Sequence, residues 1–173
     1  KTTNRNNNDT RNVIAVVGDS MIKHIKGHKL SNKNKKVVVK TFPGARTDCM
    51  KHYVVPTLEQ KPDLVILHCG TNDLRTKEPN EISKNIVDLA RTVSEQSENT
   101  GVVVSGVIRR GDELNGKALK VNEILEKLCN ECNIGYINNG NIDPEKHLNK
   151  SRLHLNIDGT NKLESNLRNL INC

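Results

Sequence analysis

Aromatic side chains are nearly missing from this sequence. Its 173 residues include no tryptophan, two tyrosines and one phenylalanine. With only Phe42, Tyr53 and Tyr136 to draw on, a platform of rings that stacks nucleic-acid bases is disfavoured. Long apolar runs are missing as well. The longest are about five or six residues, against the roughly 20 that a membrane-spanning helix needs. No apolar stretch near the start marks a signal peptide, so an intracellular, cytoplasmic protein is expected. The five cysteines are odd in number and show no zinc-ligand spacing, which argues against a disulfide framework or a structural zinc site. Cys129 and Cys132 form a C-x-x-C, but late in a helical pattern and with no second pair, which argues against a redox or metal function. His24 and His28 stand four apart without a third ligand. What is present is a soluble globular balance, 34% hydrophobic and 27% charged. The length fits one domain that buries about 70% of its unfolded surface without staples.

The charge is lopsided. Lysine and arginine number 27 against 20 acids, a net charge of +7. From Lys23 to Lys51 the cations are Lys23, Lys26, Lys29, Lys33, Lys35, Lys36, Lys40, Arg46 and Lys51, with Asp48 the one acid, so this stretch carries +8 and the remainder −1. Two readings stay open. The stretch can be a solvated loop and strand edge that keeps the protein soluble. It can also be a patch, formed by Lys23, Lys26, Lys33, Lys35, Lys36 and Arg46, that attracts RNA phosphates or an anionic membrane surface.

Residues 1–12 are polar, rich in asparagine and without periodicity, and read as a disordered lead-in or linker to a domain over 13–173. Short β-branched runs then alternate with helical patterns. Strands are expected at Val13–Val17, Lys36–Phe42, Leu64–Leu67, Val102–Ile108 and Ile134–Ile137. Ile82, Ile86, Leu89 and Val93 give Glu78–Gln96 one apolar face. Asn115–Cys132 and Asp158–Ile171 show the same pattern, and weaker helices fit Met21–His28 and Thr47–Leu58. Five apolar strands separated by helices predict an α/β fold: a parallel five-stranded sheet in a three-layer α/β/α sandwich, built with right-handed crossovers. In such sheets ligands bind at the carboxyl ends of the strands.

Those ends carry a chemical set. Gly18-Asp19-Ser20 follows the first strand, Pro43-Gly44-Ala45 the second and Gly70-Thr71-Asn72-Asp73 the third. His154-Leu155-Asn156 and then Gly159 come near the C-terminus. Taken singly, Ser20 is an N-cap, Asn72 and Asp73 hold a turn, and His154 is structural. Taken together, Ser20 is a nucleophile at a strand-to-helix turn, where a helix N-terminus favours negative charge. His154 is the general base that takes its proton and returns it to the leaving group. The backbone N–H groups of Ser20 and Gly44 and the side-chain amide of Asn72 donate to the oxyanion, with glycine at 44 permitting close approach.

These four pieces, Val16-Val17-Gly18-Asp19-Ser20, Phe42-Pro43-Gly44-Ala45, Gly70-Thr71-Asn72-Asp73 and His154-Leu155-Asn156 with Gly159, resemble the four blocks of the SGNH, or GDSL-type, esterases and lipases. The resemblance runs from about Asn12 to the C-terminus. It implies a flavodoxin-like sandwich and hydrolysis of esters, often acetyl esters, with no metal or other cofactor. One position departs from the pattern. The family usually places an Asp three residues before the His, and here that residue is Ser151. The favoured reading is a Ser20–His154 dyad, with Ser151 or a backbone carbonyl orienting the ring. Asp143 and Asp158 are the nearest replacement acids, though Asp158 reads as the cap of the last helix. Asp19 and Asp73 read as residues that brace their loops.

The lysine-rich first half and the ending Lys150-Ser151-Arg152-Leu153-His154-Leu155-Asn156 also resemble SGNH domains encoded by animal LINE-type retrotransposons. Two functions follow from different classes. One is an esterase acting on an ester substrate. The other is a weak or inactive SGNH-fold module that binds RNA or anionic lipid through its basic patch. Arg109 and Arg110, after the fourth strand, are read as ordinary surface charges rather than selectors of an acidic substrate. Cys69 is read as a packed thiol.

Overall fold

A computed structural model describes residues 9–173. Residues 1–8 of the expected lead-in lie outside it. Asp9 pairs with the Arg11 guanidinium at 2.8 Å, and Asn12 already belongs to the sheet.

Five strands form that sheet: β1 (Asn12–Gly18), β2 (Lys35–Thr41), β3 (Leu64–His68), β4 (Gly101–Ser105) and β5 (Gly135–Ile137). They lie in the order β2-β1-β3-β4-β5, and all four pairings are parallel. The expected α/β/α sandwich is the fold. Its central strands are β-branched and apolar because both faces are covered. Ala15, Val17, Val65, Leu67 and Val104 point into one core, against α2 (Lys51–Leu58), α3 (Pro79–Gln96) and α4 (Asn115–Glu131). Ile14, Val16, Ile66 and Val103 point into the other, against α1 (Gly27–Leu30) and α6 (Ile157–Ile171). The helices bury the stripes that their spacing predicts. In α3 these are Ile82, Ile86, Leu89, Ala90 and Val93. In α6 they are Leu163, Leu167 and Ile171, each contributing about 1.5–3 kcal/mol by leaving water. Among the described residues, no helix is long and apolar enough to cross a membrane.

The register places the site. Gly18, the last residue of β1, stands opposite Thr41 of β2 and His68 of β3. The loops leaving all three strands therefore start at one level. Asp19 N donates to His68 O at 3.1 Å and Phe42 N to Gly18 O at 2.8 Å. A Cβ on Gly18 would sit 2.3 Å from His68 O, so only glycine lets these strand ends close up.

Three elements differ from expectation. The segment 21–28 is not one helix. It is a 3-10 turn at Ser20–Ile22 followed by the single turn of α1. Gly27 there lies so close to β2 that a Cβ would meet Val37 O at 2.4 Å. β4 stops at Ser105 instead of running to Ile108, because the Asn122 side chain takes over both Val107 N and Val107 O at 2.8 Å. A short α5 (Pro144–His147) stands where no helix was expected. Asp143 caps it through Glu145 N at 2.9 Å.

Candidate active site

Ser20 opens the 3-10 turn after β1 and is half-buried. Asp19 shapes that turn by accepting Met21 N on Oδ1 at 3.0 Å. A turn of three residues has little dipole, so the electrostatic help expected from a helix N-terminus is small. Asp19 is 1% exposed, and its Oδ2 has no hydrogen-bond partner. Burial, and secondarily the nearby Asp73, push its carboxyl up to about 7.

The two donor loops touch. Gly44 has φ +77°, a conformation side chains resist, yet an added Cβ would meet nothing within 4 Å. The glycine is needed for the turn, then, and its open side faces free space. Asn72 Nδ2 donates to Ala45 O at 2.9 Å, which leaves the second amide hydrogen for a ligand. Below them Asp73, fully buried, accepts Thr47 N and Thr47 Oγ1, each at 3.0 Å, and meets Lys77 Nζ at 2.9 Å. Asn85 Nδ2 donates to Thr47 Oγ1 at 3.1 Å, and Lys77 reaches Asp48 at 3.0 Å. Asp19 and Asp73 do hold their loops.

His154 rides a small hairpin closed by the antiparallel bridge Leu148–Leu155. Asn149 N donates to His154 O at 2.8 Å, Arg152 N to Asn149 O at 2.9 Å and Gly111 N to Arg152 O at 2.9 Å. Arg152 adopts φ +59° to complete this turn. The last of these bonds packs the loop after β4 onto the histidine loop.

The ring itself is poorly served. Nδ1 of His154 is buried and has no hydrogen-bond partner. Ser151 does not reach it: its hydroxyl and its backbone N–H both donate to Asn149 Oδ1. The expected Ser151 contact is therefore corrected, because the turn claims the side chain. Asp143 caps α5 and Asp158 is exposed on α6. The cap of α6 is Asn156, which accepts Gly159 N at 2.8 Å, and not Asp158 as expected. Burial is the main cause holding the His154 pKa below its ordinary value, with Lys23, Arg110 and His24 acting in the same direction.

The lysines of the basic stretch do not share one role. Lys23, Lys26, Lys33 and Arg46 are exposed. Lys35 Nζ turns under to the Ile171 carbonyl at the end of α6, and Lys36 lies 3.5 Å from Asp9. Arg110 corrects the surface-charge reading. It is only 5% exposed and is held by Asp112, with Nε to Oδ1 at 2.8 Å. Cys69 is buried, which raises its pKa well above the usual thiol value and leaves it a poor nucleophile. Cys132 accepts a hydrogen bond from Arg91 at 3.1 Å while Cys129 is buried. Among the described residues no group of three or more His, Cys, Asp or Glu could hold a metal ion. Thr47, Lys77, Asn85 and Asn149 have parts here that no motif announced. Each acts through a partner distant in sequence or through a turn.

A family model for the GDSL-like lipase/acylhydrolase family matches residues 16–161. No curated protein matches the chain. Among solved structures, a GDSL-like lipase from Bacteroides thetaiotaomicron is similar, with TM-score 0.79 and 16% identity, over 92% of this chain and 87% of that one. A lipase/acylhydrolase from Enterococcus faecalis is similar with TM-score 0.78 and 16% identity, over 92% and 95%. An acetyl xylan esterase, AlAXEase, is similar with TM-score 0.76 and 17% identity, over 91% and 98%. At these identities the solved structures support the fold.

Proposed function

The chain belongs to the GDSL-like lipase/acylhydrolase family, and from that we propose that it is a serine esterase that hydrolyses short-chain or acetyl carboxylic esters through Ser20 and His154. The observation that carries this reading is the meeting of the donor loops. Asn72 bonds Ala45, next to Gly44, and both loops leave strands whose ends are level with the start of the Ser20 turn.

In the proposed reaction the Ser20 hydroxyl attacks the ester carbonyl while His154 takes its proton. Nδ1 is buried, so Nε2 is the nitrogen that exchanges it. The tetrahedral oxyanion is held by the N–H groups of Ser20 and Gly44 and the amide of Asn72. One such donor is typically worth about 10²–10³ in rate. The intermediate collapses, His154 protonates the departing alcohol, and an acyl group remains on Ser20. Water, deprotonated by His154, then releases the acid. Among the described residues Ser20 and His154 share no hydrogen bond; catalytic hydrogen bonds are often loose in unliganded sites and tighten with substrate. Among the described residues a His154 imidazolium finds no acceptor for its Nδ1 hydrogen, which makes this a slow dyad rather than a full triad.

A second reading has its own support. The positive surroundings of His154 and the exposed Lys23, Lys26, Lys33 and Arg46 fit a module that binds RNA or an anionic membrane. The finer likeness to retrotransposon-encoded domains rests on residues 150–156 and the lysine-rich first half alone.

The test is hydrolysis of 4-nitrophenyl acetate and longer esters by wild type and Ser20→Ala. Turnover that vanishes in the variant is expected. Equal inactivity of both proteins on every ester would sink the esterase reading. Salt-sensitive RNA binding would then favour the module.

A further inference from the structure

Beside the last helix lies a cleft that the proposed reaction does not use. Its volume is about 450 Å³, and its lining comes from residues 24–29 on one side and from Leu155 and the start of α6 on the other. Ser20, Gly44, Asn72 and His154 are all absent from that lining. Its size falls in the range of small-molecule sites, about 300–1,000 Å³.

The lining has three chemical parts. Leu155 and Ile157 form an apolar wall, and Ile157 is 81% exposed. An isoleucine left in water to that extent gains when something apolar covers it. Lys26 and Lys29 stand exposed at the rim. Glu164 is the buried member, only 5% exposed.

Glu164 is poorly served for its depth. A buried carboxylate is ordinarily matched by a cation or by several donors. This one accepts a single hydrogen bond, from Lys26 N to Oε1 at 3.3 Å. Among the described residues Oε2 accepts none, yet it is not one of the unpartnered atoms sealed from solvent. Oε2 therefore opens into the cleft. Among the described residues no cation forms an ion pair with Glu164, and no acid forms one with Lys26 or Lys29. Unanswered charges of both signs thus line one cavity. A plain anion entering it meets Glu164, and a plain cation must pass the lysines. A molecule that carries both charges answers both.

We propose that this cleft binds a small zwitterion with an aliphatic body, of the class of the aliphatic amino acids. The ammonium donates to Glu164 Oε2, the carboxylate faces Lys26 and Lys29, and the aliphatic part covers Ile157 and Leu155. Asn156 lines the same cleft. It also holds the His154 hairpin, donating to Lys146 O at 2.8 Å and to Leu148 O at 3.2 Å. The ligand therefore packs against the segment that carries His154. Binding itself requires neither Ser20 nor His154.

The experiment titrates the isotope-labelled chain with L-leucine and with two analogues that each lack one charge, isoamylamine and isocaproate. Amide shifts are followed by NMR. Leucine should saturate, with its largest shifts at Lys26, Ile157 and Asn161, and should bind at least about tenfold more tightly than either analogue. Glu164→Gln keeps an acceptor for Lys26 N and removes the charge, so leucine should lose its advantage over isocaproate. A melting temperature close to wild type identifies a folded variant. If Glu164→Gln does not fold, Lys26→Glu/Lys29→Glu carries the test. Its changes lie at exposed side chains, and leucine should lose its advantage over isoamylamine. An advantage that survives in the folded variant overturns the assignment of that charge. No saturable shift with leucine, or saturation centred outside the cleft, overturns the proposal. Isoamylamine binding as tightly as leucine to wild type overturns it in favour of an amine site, and isocaproate doing so in favour of an anion site. Phosphoethanolamine, a zwitterion with a shorter body, should bind more weakly than leucine. Tighter binding overturns the amino-acid class in favour of a phosphorylated headgroup.

Discussion

Asp73 grips Thr47 twice, by its backbone N–H and by its hydroxyl, each at 3.0 Å. The two residues are 26 apart in sequence, and the bond pair ties the loop of Asn72 to the loop of Gly44. The two proposed oxyanion donors stand on separate strand ends, and this buried clamp ties their loops together. Lys77, at 2.9 Å from Asp73, balances the carboxylate's charge, without which burial would be costly.

Loosening the clamp should slow catalysis more than it weakens binding. In Thr47→Val, Asp73 loses the hydroxyl and Asn85 loses its acceptor, while the Thr47 N–H contact stays. We expect kcat to fall about tenfold to a hundredfold with KM little changed, since the donors act chiefly on the transition state. Stability should fall by about 1–3 kcal/mol, the cost of buried polar groups left without partners. Steady-state kinetics beside thermal melts would check this. An unchanged kcat in a destabilised variant would mean that the donor loops keep their spacing without the clamp.

The pH profile should carry the mark of His154's surroundings. As the proposed general base it acts in its neutral form, and burial with Lys23, Arg110 and His24 holds its pKa low. The acid limb of kcat/KM is therefore expected below the ordinary histidine value of about 6.5. Ser151→Asp introduces a carboxylate at the position where related esterases carry one, and Asn149 Oδ1 would repel it from the present turn contact. A carboxylate near the ring favours its charged form. Turnover should then rise about tenfold or more, and the acid limb should move to higher pH. A faster variant with an unmoved limb would mean that the gain does not pass through His154.

Much of this arrangement can be read along the chain. Runs such as Val13–Val17 and Leu64–Leu67, bounded by glycine, proline and polar turns, mark buried parallel strands. The 3.6-residue stripe of Ile82, Ile86, Leu89 and Val93 marks α3. The loops of Ser20, Gly44 and Asn72 are legible as neighbours because parallel topology forces strand ends to one edge, whereas His154 lies on a hairpin that no strand end places. What was not legible depends on partners that sequence does not pair. The Asp73–Thr47 clamp and the Arg110–Asp112 pair are tertiary facts. Ser151 looks like a stand-in for the usual Asp, yet the tight turn at Asn149 claims its hydroxyl. Lys35 looks like one more patch cation, yet it ends on the Ile171 carbonyl. The segment 21–28 has a helical pattern, but it breaks at 23–26, between the 3-10 turn and α1, which starts at Gly27 close against Val37.

Asp19 should make stability fall as pH rises through the weakly acidic range. Its buried carboxyl has a pKa of about 7 in the folded protein, against about 3.9 for an unfolded Asp. At about pH 3 and below, both states are largely protonated, and the group's contribution is fully present. Between about pH 3 and 7 the unfolded chain releases the proton and the folded chain keeps it, so unfolding is progressively favoured. Above pH 7 both are ionised, and the loss levels off at an order of a few kcal/mol. Asp19→Asn cannot ionise, and its side-chain oxygen can still accept Met21 N in place of Oδ1. Urea melts at pH 5 and pH 8 should therefore show the variant gaining on wild type at the higher pH. If the difference between them is the same at both values, Asp19 is ionised throughout, and the unpartnered Oδ2 would have to be held by something other than a proton.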